Sequence, residues 1–253
     1  MHEARWVVNN AAALAGRVVV WRTIGQSFAG REDELRPYRA AGLRVVRYSP
    51  RERTIPGYLG EDAVIRFAKD PDELRGWTGH VASSVTVNQA IAARGVACNY
   101  GFYAAVAARV PHKLFGPGNA GVPNDRGPLP YDRLRQELRD NRCYFSVGSY
   151  PASYTLNFVE AWMTGTPVVA VGPRRGNSPH LAGHDLYEVP DLIEQGVSGY
   201  CTDDVDEAVA LLTHLLDDGR HAAEVSQAGR AAAVRHFGAA TALNEWRQFL
   251  ARL

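Results

Sequence analysis

One carboxylate, that of Glu160, lies within an otherwise apolar stretch of the sequence that is predicted to be helical. The surrounding segment reads Ser149-Tyr-Pro-Ala-Ser-Tyr-Thr-Leu-Asn-Phe-Val-Glu160-Ala-Trp-Met-Thr-Gly165-Thr-Pro-Val-Val-Ala-Val171. This pattern indicates a strand end, a tight loop, a helix, a glycine stop and a second strand. A loop at the start of a helix presents backbone N–H groups that bind phosphate well. A carboxylate one to two turns further on can reach the hydroxyls of an attached ribose, which is the pattern of nucleotide sites in doubly wound sheets.

The residues around Glu160 resemble the donor-binding core of the GT-B glycosyltransferases, in particular their retaining, family-4-like group. Glu160-Ala-Trp-Met-Thr-Gly-Thr-Pro-Val-Val-Ala is similar to the second half of that group's signature, and residues 187–200 are similar to its next segment. The resemblance covers about residues 140–253 and is faint before them. One position departs from the pattern. Ala152 stands eight residues before Glu160, where the family usually has a first Glu that touches the hydroxyls of the donor sugar.

The resemblance implies a nucleotide-sugar site made of Ser153, Tyr154, Thr155, Leu156 and Glu160. The backbone N–H groups of the first four would bind the donor diphosphate, and Glu160 would bind the ribose. A structural role is the alternative for two of them. Thr155 is a good helix N-cap, and Glu160 can be a buried carboxylate held by a backbone group. We expect the binding roles, and capping by Thr155 is compatible with them.

The diphosphate leaving group also needs positive charge or dipoles nearby, because negative charge builds on it during transfer. Members of the family supply an Arg and a Lys just after the first strand of the second domain. The corresponding stretch here is taken to be 77–84, where His80 is the candidate substitute and a solvated loop histidine is the alternative. Arg22 is the best of three arginines that lie at the end of or within a predicted strand, the others being Arg47 and Arg66, because strand ends of open sheets line the ligand crevice. We therefore predict Arg22 and His80 as catalytic residues.

No metal site is predicted. His180 and His184 have a spacing that suits metal binding only on a helix, and Pro179 and Gly183 indicate a loop there. No cofactor is predicted either, because the resemblance implies a nucleotide-diphosphate sugar, such as a UDP- or GDP-sugar, as substrate.

Strands alternate with helices along the 253 residues, which predicts parallel sheets covered on both faces. The fold class is therefore α/β and GT-B-like, with two Rossmann-like parallel-sheet domains of which the N-terminal one is reduced. We predict a reduced acceptor-side domain over 1–75, a nucleotide-sugar-binding domain over 76–238, and a C-terminal helix over 239–253 that returns to the first domain. Within the second domain, Thr86 is expected to cap a helix over 87–94.

Composition narrows the function classes. The 46% apolar content supports a real core, and the net charge of +1 gives no reason to expect nucleic-acid or membrane binding. Three widely spaced cysteines fit reduced thiols in a cytosol. No apolar run approaches the roughly 20 residues of a membrane span. A cytoplasmic location, a nucleotide-sugar donor as partner, an unknown acceptor and possible homo-oligomers are therefore expected.

The resemblance implies transfer of a sugar from a nucleotide-diphosphate sugar to an unknown acceptor, with retention of configuration and without a metal. In such transfer the leaving diphosphate takes the acceptor's proton. Two alternatives stay open. The short first domain favours a donor-binding half that needs a partner chain, and Ala152 favours a non-catalytic module that binds a nucleotide or sugar phosphate.

Overall fold

The computed structural model describes residues 5–25, 27–178 and 184–253, and its strands form two parallel sheets. The first sheet has the order β1-β2-β3, with β1 at Val20–Arg22, β2 at Arg44–Arg47 and β3 at Ala63–Val64. The second has the order β5-β4-β6-β7-β8, with β4 at Val81–Val87, β5 at His112–Phe115, β6 at Asn141–Ser146, β7 at Val168–Val171 and β8 at Tyr200–Thr202. The predicted α/β class with a reduced first sheet is thereby confirmed.

The described helices precede β1, lie between most of the later strands and follow β8. They are α1 (Arg5–Asn9), α2 (Ala11–Leu14), α3 (Ala29–Ala40), α4 (Ile91–Arg94), α5 (Tyr100–Ala107), α6 (Tyr131–Asp140), α7 (Leu156–Thr164), α8 (Pro173–Gly176), α9 (Val189–Leu192), α10 (Val205–Asp217), α11 (Gly219–Phe237) and α12 (Ala239–Leu250). Two short 3₁₀ segments lie at Pro50–Thr54 and Gly95–Cys98. In the part of the chain that the structure describes, no helix has the length and hydropathy needed to cross a bilayer.

The five-stranded sheet is covered by two groups of helices. Helices α5 and α10 contact each other, and α6, α7 and α11 form the second group. Right-handed crossovers place α6 and α7 on the face opposite α5, because the chain leaves β4 in one direction along the sheet and then returns past it. All four residues of β7 are buried, as expected for a central parallel strand covered on both faces.

The three-stranded sheet is covered by α3 on one face and by α12 on the other. Leu35 of α3 is buried with Trp21 and Leu43, and Phe249 of α12 is buried with Val46 and Ile65. The C-terminal helix therefore packs on the first sheet. The domain boundaries at 75 and 238 stay a prediction.

One element of the second sheet was predicted wrongly. Thr86 does not cap a helix over 87–94, because it lies inside β4, where its hydroxyl donates to the carbonyl oxygen of Phe145 at 2.6 Å. The alternating Val85-Thr-Val87 run is typical of a buried strand, and the helix that follows is only the four-residue α4. The first strand of the second sheet therefore ends at Val87, and the loop that follows it begins at Asn88 instead of lying within 77–84.

Candidate functional site

A polar cavity of about 210 Å³ lies at the carboxyl ends of β4 and β6, beside the start of α7. We call it the α7 cavity. Its lining includes Asn88, Arg94, Ser149, Thr155 and Asn157. The carboxyl edge is where open α/β sheets bind their ligands.

The start of α7 is fixed by local hydrogen bonds. The hydroxyl of Thr155 accepts the N–H of Phe158 at 3.2 Å, which confirms the predicted N-cap. Asn157 ties the helix to β4 by donating to the carbonyl oxygen of Val87 at 3.2 Å. The remaining first-turn N–H groups have no carbonyl four residues earlier to accept them, and they lie at the positive end of the helix dipole. The cavity wall formed by α7 therefore favours an anion.

Asn88, directly after β4, and Arg94, the last residue of α4, complete the cavity, and the sequence analysis missed both. The guanidinium of Arg94 donates to the hydroxyl of Ser149. Asn88 is 8% exposed, and among the described residues its Oδ1 has no hydrogen-bond partner. A buried carbonyl oxygen without a partner costs free energy, so this atom favours a ligand that donates a hydrogen bond. The sequence signal that could have located the loop after β4 is the β-branched run that ends at Val87, because it marks the end of the strand.

Glu160 lies in the second turn of α7 and is 5% exposed. Its Oε1 accepts a hydrogen bond from Lys69 Nζ at 2.5 Å and another from Tyr131 Oη at 3.3 Å. Burial lowers the pKa of Lys69, but the hydrogen bond and charge of Glu160 outweigh this, so the pKa of the ammonium is raised. A partner was expected for a buried carboxylate. That partner is a lysine 91 residues away in the chain rather than a backbone group.

Ser153 and Tyr154 hold the two sheets together. Tyr48, just after β2, accepts the N–H of Ser153 at 2.8 Å and donates its hydroxyl proton to Ser153 Oγ at 3.0 Å. The hydroxyl of Tyr154 donates to the carbonyl oxygen of Tyr48 at 3.0 Å and accepts the N–H of Phe67 at 3.1 Å. Leu156, the first residue of α7, is 46% exposed. Of the five predicted nucleotide-binding residues, Thr155 is therefore the one that lines the α7 cavity.

The packing around Ala152 explains why a small residue occupies this place. Gly25, in the turn after β1, has a φ of 85°, and a Cβ added there would lie 3.7 Å from the Cβ of Ala152 and 3.6 Å from the hydroxyl of Tyr48. The turn after β1 thus packs against the place where the family usually has its first Glu. A long side chain at position 152 would displace this turn.

The structure places Arg22 between the end of β3 and α12. Its Nη2 donates to the carbonyl oxygen of Arg66 at 3.0 Å, and its guanidinium lies 4.5 Å from the ring centre of Phe67 and 5.6 Å from that of Trp246. Burial lowers the pKa of this guanidinium. Its catalytic role stays a prediction. Phe67 is the link to the rest of the site, because its ring also packs edge-on against Tyr154.

His80 lies just before β4, with a side chain that is 64% exposed. Its Nδ1 is 2.8 Å from the hydroxyl of Thr78 and 3.7 Å from a carboxylate oxygen of Asp140. At roughly 3.3 Å per residue, β4 separates His80 from Asn88 by about 26 Å. The structure therefore does not bring His80 to the α7 cavity.

The other predicted residues are placed as follows. Arg47 pairs with Glu32, and Arg66 pairs with Glu188. His180 lies outside the described residues. Within residues 5–25, 27–178 and 184–253, no group of three or more His, Cys, Asp or Glu side chains could hold a metal ion.

No protein-family model matches the chain, and no curated protein matches it. Solved structures do. HepE from Anabaena, in complex with UDP and glucose, superposes with a TM-score of 0.71 at 16% identity, over 99% of this chain and 76% of that one. The chain has the GT-B fold. A further GT-B neighbour, the sucrose-phosphate synthase from Thermosynechococcus elongatus, has a TM-score of 0.67 at 15% identity, over 98% of this chain and 72% of that one.

A glycosyltransferase from Rickettsia africae extends the same likeness, with a TM-score of 0.65 at 11% identity over 97% of this chain and 74% of that one. The GT-B chain described here therefore matches its neighbours along almost its whole length while spanning about three quarters of theirs. Both sheets lie within the matched part of the chain.

Proposed function

We propose that this chain is a glycosyltransferase that moves a sugar from a nucleotide-diphosphate sugar to an acceptor. The α7 cavity carries the proposal, because it combines a helix N-terminus, an arginine and an amide oxygen without a partner among the described residues, all at the carboxyl edge of a GT-B sheet. HepE is described with UDP and with UDP-glucose, which makes UDP and its sugars the first donors to test.

In this proposal the diphosphate lies in the α7 cavity. The first-turn N–H groups of α7 and the guanidinium of Arg94 bind its oxygens, because both supply fixed positive charge. Arg94 follows the first strand of the second sheet, which is where the family has its cationic residues. The hydroxyl of Ser149 already accepts from Arg94 and so holds its side chain at the cavity.

Glu160 is the proposed ribose ligand. Both of its described contacts, from Lys69 and Tyr131, go to Oε1, so Oε2 remains to accept a ribose hydroxyl. The ion pair with Lys69 holds the carboxylate in place, and hydrogen bonds to carboxylate oxygens are among the strong ones.

The finer steps follow from the resemblance. Transfer is proposed to retain the anomeric configuration, to move a hexosyl or related group, and to need no metal. The leaving diphosphate takes the acceptor's proton, and the chain contributes by positioning the donor and stabilising the leaving charge. Arg22 and His80 have no described contact with the α7 cavity, so their catalytic roles are proposals with their own test. In that test, Arg22→Gln and His80→Asn should lower the transfer rate without changing UDP affinity.

Calorimetry with UDP tests donor binding directly. Glu160→Ala should lose about 1.5–3 kcal/mol of binding free energy, the usual range for a hydrogen bond to a charged group, and Arg94→Gln should lose a similar amount. Glu224→Ala and Arg220→Gln are the matched controls, because both side chains lie on α11, and they should leave the affinity unchanged. Unchanged UDP affinity in folded Glu160→Ala and Arg94→Gln variants would reject the proposed donor site.

A second function is favoured by one observation. The turn after β1 packs against Ala152, and the N–H of Ser153 is already bound to Tyr48. A donor-binding half or a non-catalytic nucleotide-binding module fits this closed arrangement. It predicts UDP binding without transfer or hydrolysis for any donor in a panel of nucleotide sugars. A donor-binding half would also co-elute with a partner chain in size-exclusion chromatography.

A further inference from the structure

A second, larger cavity of about 660 Å³ lies beside the start of α5. We call it the α5 cavity. Arg94 lines the α7 cavity and Gly95 lines this one, so the two cavities lie on either side of the chain at this point. Ligand pockets measure roughly 300–1,000 Å³, so the α5 cavity has room for a whole small molecule.

Two arginines of α8 line the α5 cavity. The guanidinium of Arg175 lies 4.4 Å from the ring centre of Phe102, and its Nε donates to the carbonyl oxygen of Asp203 at 2.7 Å. The Asp203 carboxylate accepts the backbone N–H groups of Arg174 at 3.1 Å and Arg175 at 2.7 Å. In the part of the chain that the structure describes, neither guanidinium forms an ion pair. Two guanidinium groups therefore line the cavity, and among the described residues neither is paired with a carboxylate.

The rest of the lining is mainly apolar and open. Phe102 forms a buried floor, and Val96 is 55% exposed at the rim. Gly101, in the first turn of α5, would meet no heavy atom within 4 Å if it carried a Cβ. The space above Gly101 is therefore free for an apolar group of a ligand.

We propose that the α5 cavity binds a phosphomonoester carried on an apolar body, separately from any nucleotide in the α7 cavity. A phosphomonoester carries about −1.5 to −2 charge at pH 7, which matches two guanidinium groups. The planar fork of a guanidinium binds phosphate oxygens in pairs, and stacking of Arg175 on Phe102 fixes the direction of its fork. The apolar body lies over the open face of Gly101, beside Val96 at the rim. None of these residues belongs to the α7 cavity, so the inference stands apart from the proposed function.

Phenyl phosphate is the probe, with binding measured by calorimetry and by saturation-transfer NMR. Gly101→Leu should lower its affinity about tenfold or more, because the new side chain fills the space that the phenyl ring needs. Arg174→Gln should lower it by a similar factor, since a hydrogen bond to a charged group is lost. The matched controls Gly219→Leu and Arg220→Gln, both in the first turn of α11, should change nothing.

Further ligands separate the two parts of the proposed chemistry. Phenol and inorganic phosphate should each bind at least about tenfold more weakly than phenyl phosphate, because each lacks one of the two groups. Hexyl phosphate is measured alongside, since tighter binding of the alkyl compound would indicate a lipid phosphate and tighter binding of the aryl compound a small aromatic one.

Three results would overturn the proposal. The first is no binding of phenyl phosphate or hexyl phosphate to the intact protein. The second is binding that Gly101→Leu and Arg174→Gln leave unchanged. The third is binding that Arg94→Gln abolishes, because the phosphate would then lie in the α7 cavity. If Gly101→Leu fails to fold, the double variant Arg174→Gln with Arg175→Gln gives the same decision, since it keeps the volume of the cavity and removes its charge.

Discussion

The two sheets of this chain are built from the same alternation of strand and helix, yet they differ in what lies between the layers. The five-stranded sheet belongs to one continuous apolar core, and every residue of β7 is buried there. The three-stranded sheet has two small apolar clusters, and several of its buried side chains are charged or polar, among them Arg47, Glu32, Glu52 and Thr23.

This difference follows from size. A small unit buries a smaller fraction of its surface than a large one, so it has less apolar area to stabilise it. The first sheet adds to its core the side chain of Phe249 from the far end of the chain, and it relies on polar pairs whose loss is costly. Cutting polar contacts should therefore damage the small sheet, whereas the large one depends on apolar packing and helix caps.

The largest effect is expected from Glu32→Gln. Glu32 accepts from Arg47 at 2.6 Å and 2.7 Å and from the N–H of Leu59 at 3.0 Å, with both charged side chains almost fully buried. Removing one partner leaves the other charge buried and unpaired, so the free energy of unfolding should fall by about 3–5 kcal/mol.

Urea unfolding combined with hydrogen exchange measures this loss and locates it. The adjacent Asp33→Asn is the control, because its pair with Arg36 is exposed and should be worth at most about 1 kcal/mol. Equal costs for the two substitutions, or lost protection in the large sheet alone, would contradict the role given to the buried pair.

Phe249→Ala tests how far the small sheet depends on α12. Phe249 is 1% exposed and packs with Val46 and Ile65. Its truncation should cost about 3 kcal/mol, at the lower end for a buried Phe, because a small cluster can collapse around the cavity. The neighbouring Leu250→Ala, at a side chain that is 56% exposed, should cost no more than about 0.5 kcal/mol. Hydrogen exchange of β2 that stays unchanged in Phe249→Ala would speak against this dependence.

Lowering the pH should have the opposite selectivity to these substitutions and destabilise the large sheet before the small one. Burial lowers the pKa of His112, on β5, to about 3. In the unfolded chain His112 therefore binds a proton near pH 6.5, whereas in the folded chain it stays neutral at that pH. The free energy of unfolding is highest above pH 6.5 and falls as the pH is lowered. Between pH 6.5 and 4.5 this amounts to about 2–3 kcal/mol.

Glu52, beside the small sheet, changes stability with pH in the opposite direction to His112. Burial raises the pKa of Glu52, outweighing its hydrogen bonds from Ser27 and Thr23, so the folded chain binds the proton more tightly. That contribution is complete below the ordinary pKa and is lost as the pH rises through the raised one. Hydrogen exchange measured at pH 6.5 and at pH 4.5 reports the stability of each sheet separately. In the His112→Gln variant, the stability of the large sheet should depend less on pH. An unchanged slope in His112→Gln would show that another group is responsible.

The smallest effect concerns the cap of α7. Thr155→Ala should cost about 1 kcal/mol of stability, since the N–H of Phe158 loses its acceptor. Asp204→Ala, at the cap of α10, should cost a similar amount. The two differ in ligand binding, because only Thr155 lines the α7 cavity, so only Thr155→Ala should weaken UDP binding. Equal UDP affinities of the Thr155→Ala and Asp204→Ala variants would show that the Thr155 cap does not contribute to the proposed donor site.

Local features of the site were predictable from the sequence. The N-cap at Thr155 and the end of α7 before Gly165, whose φ is 94°, depend on residues within one helical turn of each other. The bounds of β5 and α6 likewise follow the short-range periodicity of the sequence. The error at Thr86 arose because a short apolar run fits a strand or a helix equally well when its neighbours in the sheet are unknown.

Tertiary structure alone decided which residues meet. Lys69 reaches Glu160 across 91 positions, and Tyr48 reaches Ser153 across 105. The packing of Gly25 against Ala152 also depends on how the two sheets face each other. The sequence by itself determined the helix, its cap and its buried carboxylate, because hydrogen bonds between near neighbours carry that information. The partners of those groups were decided by the folded arrangement, because a buried charge or N–H binds whichever complementary group the packing of distant segments brings within reach.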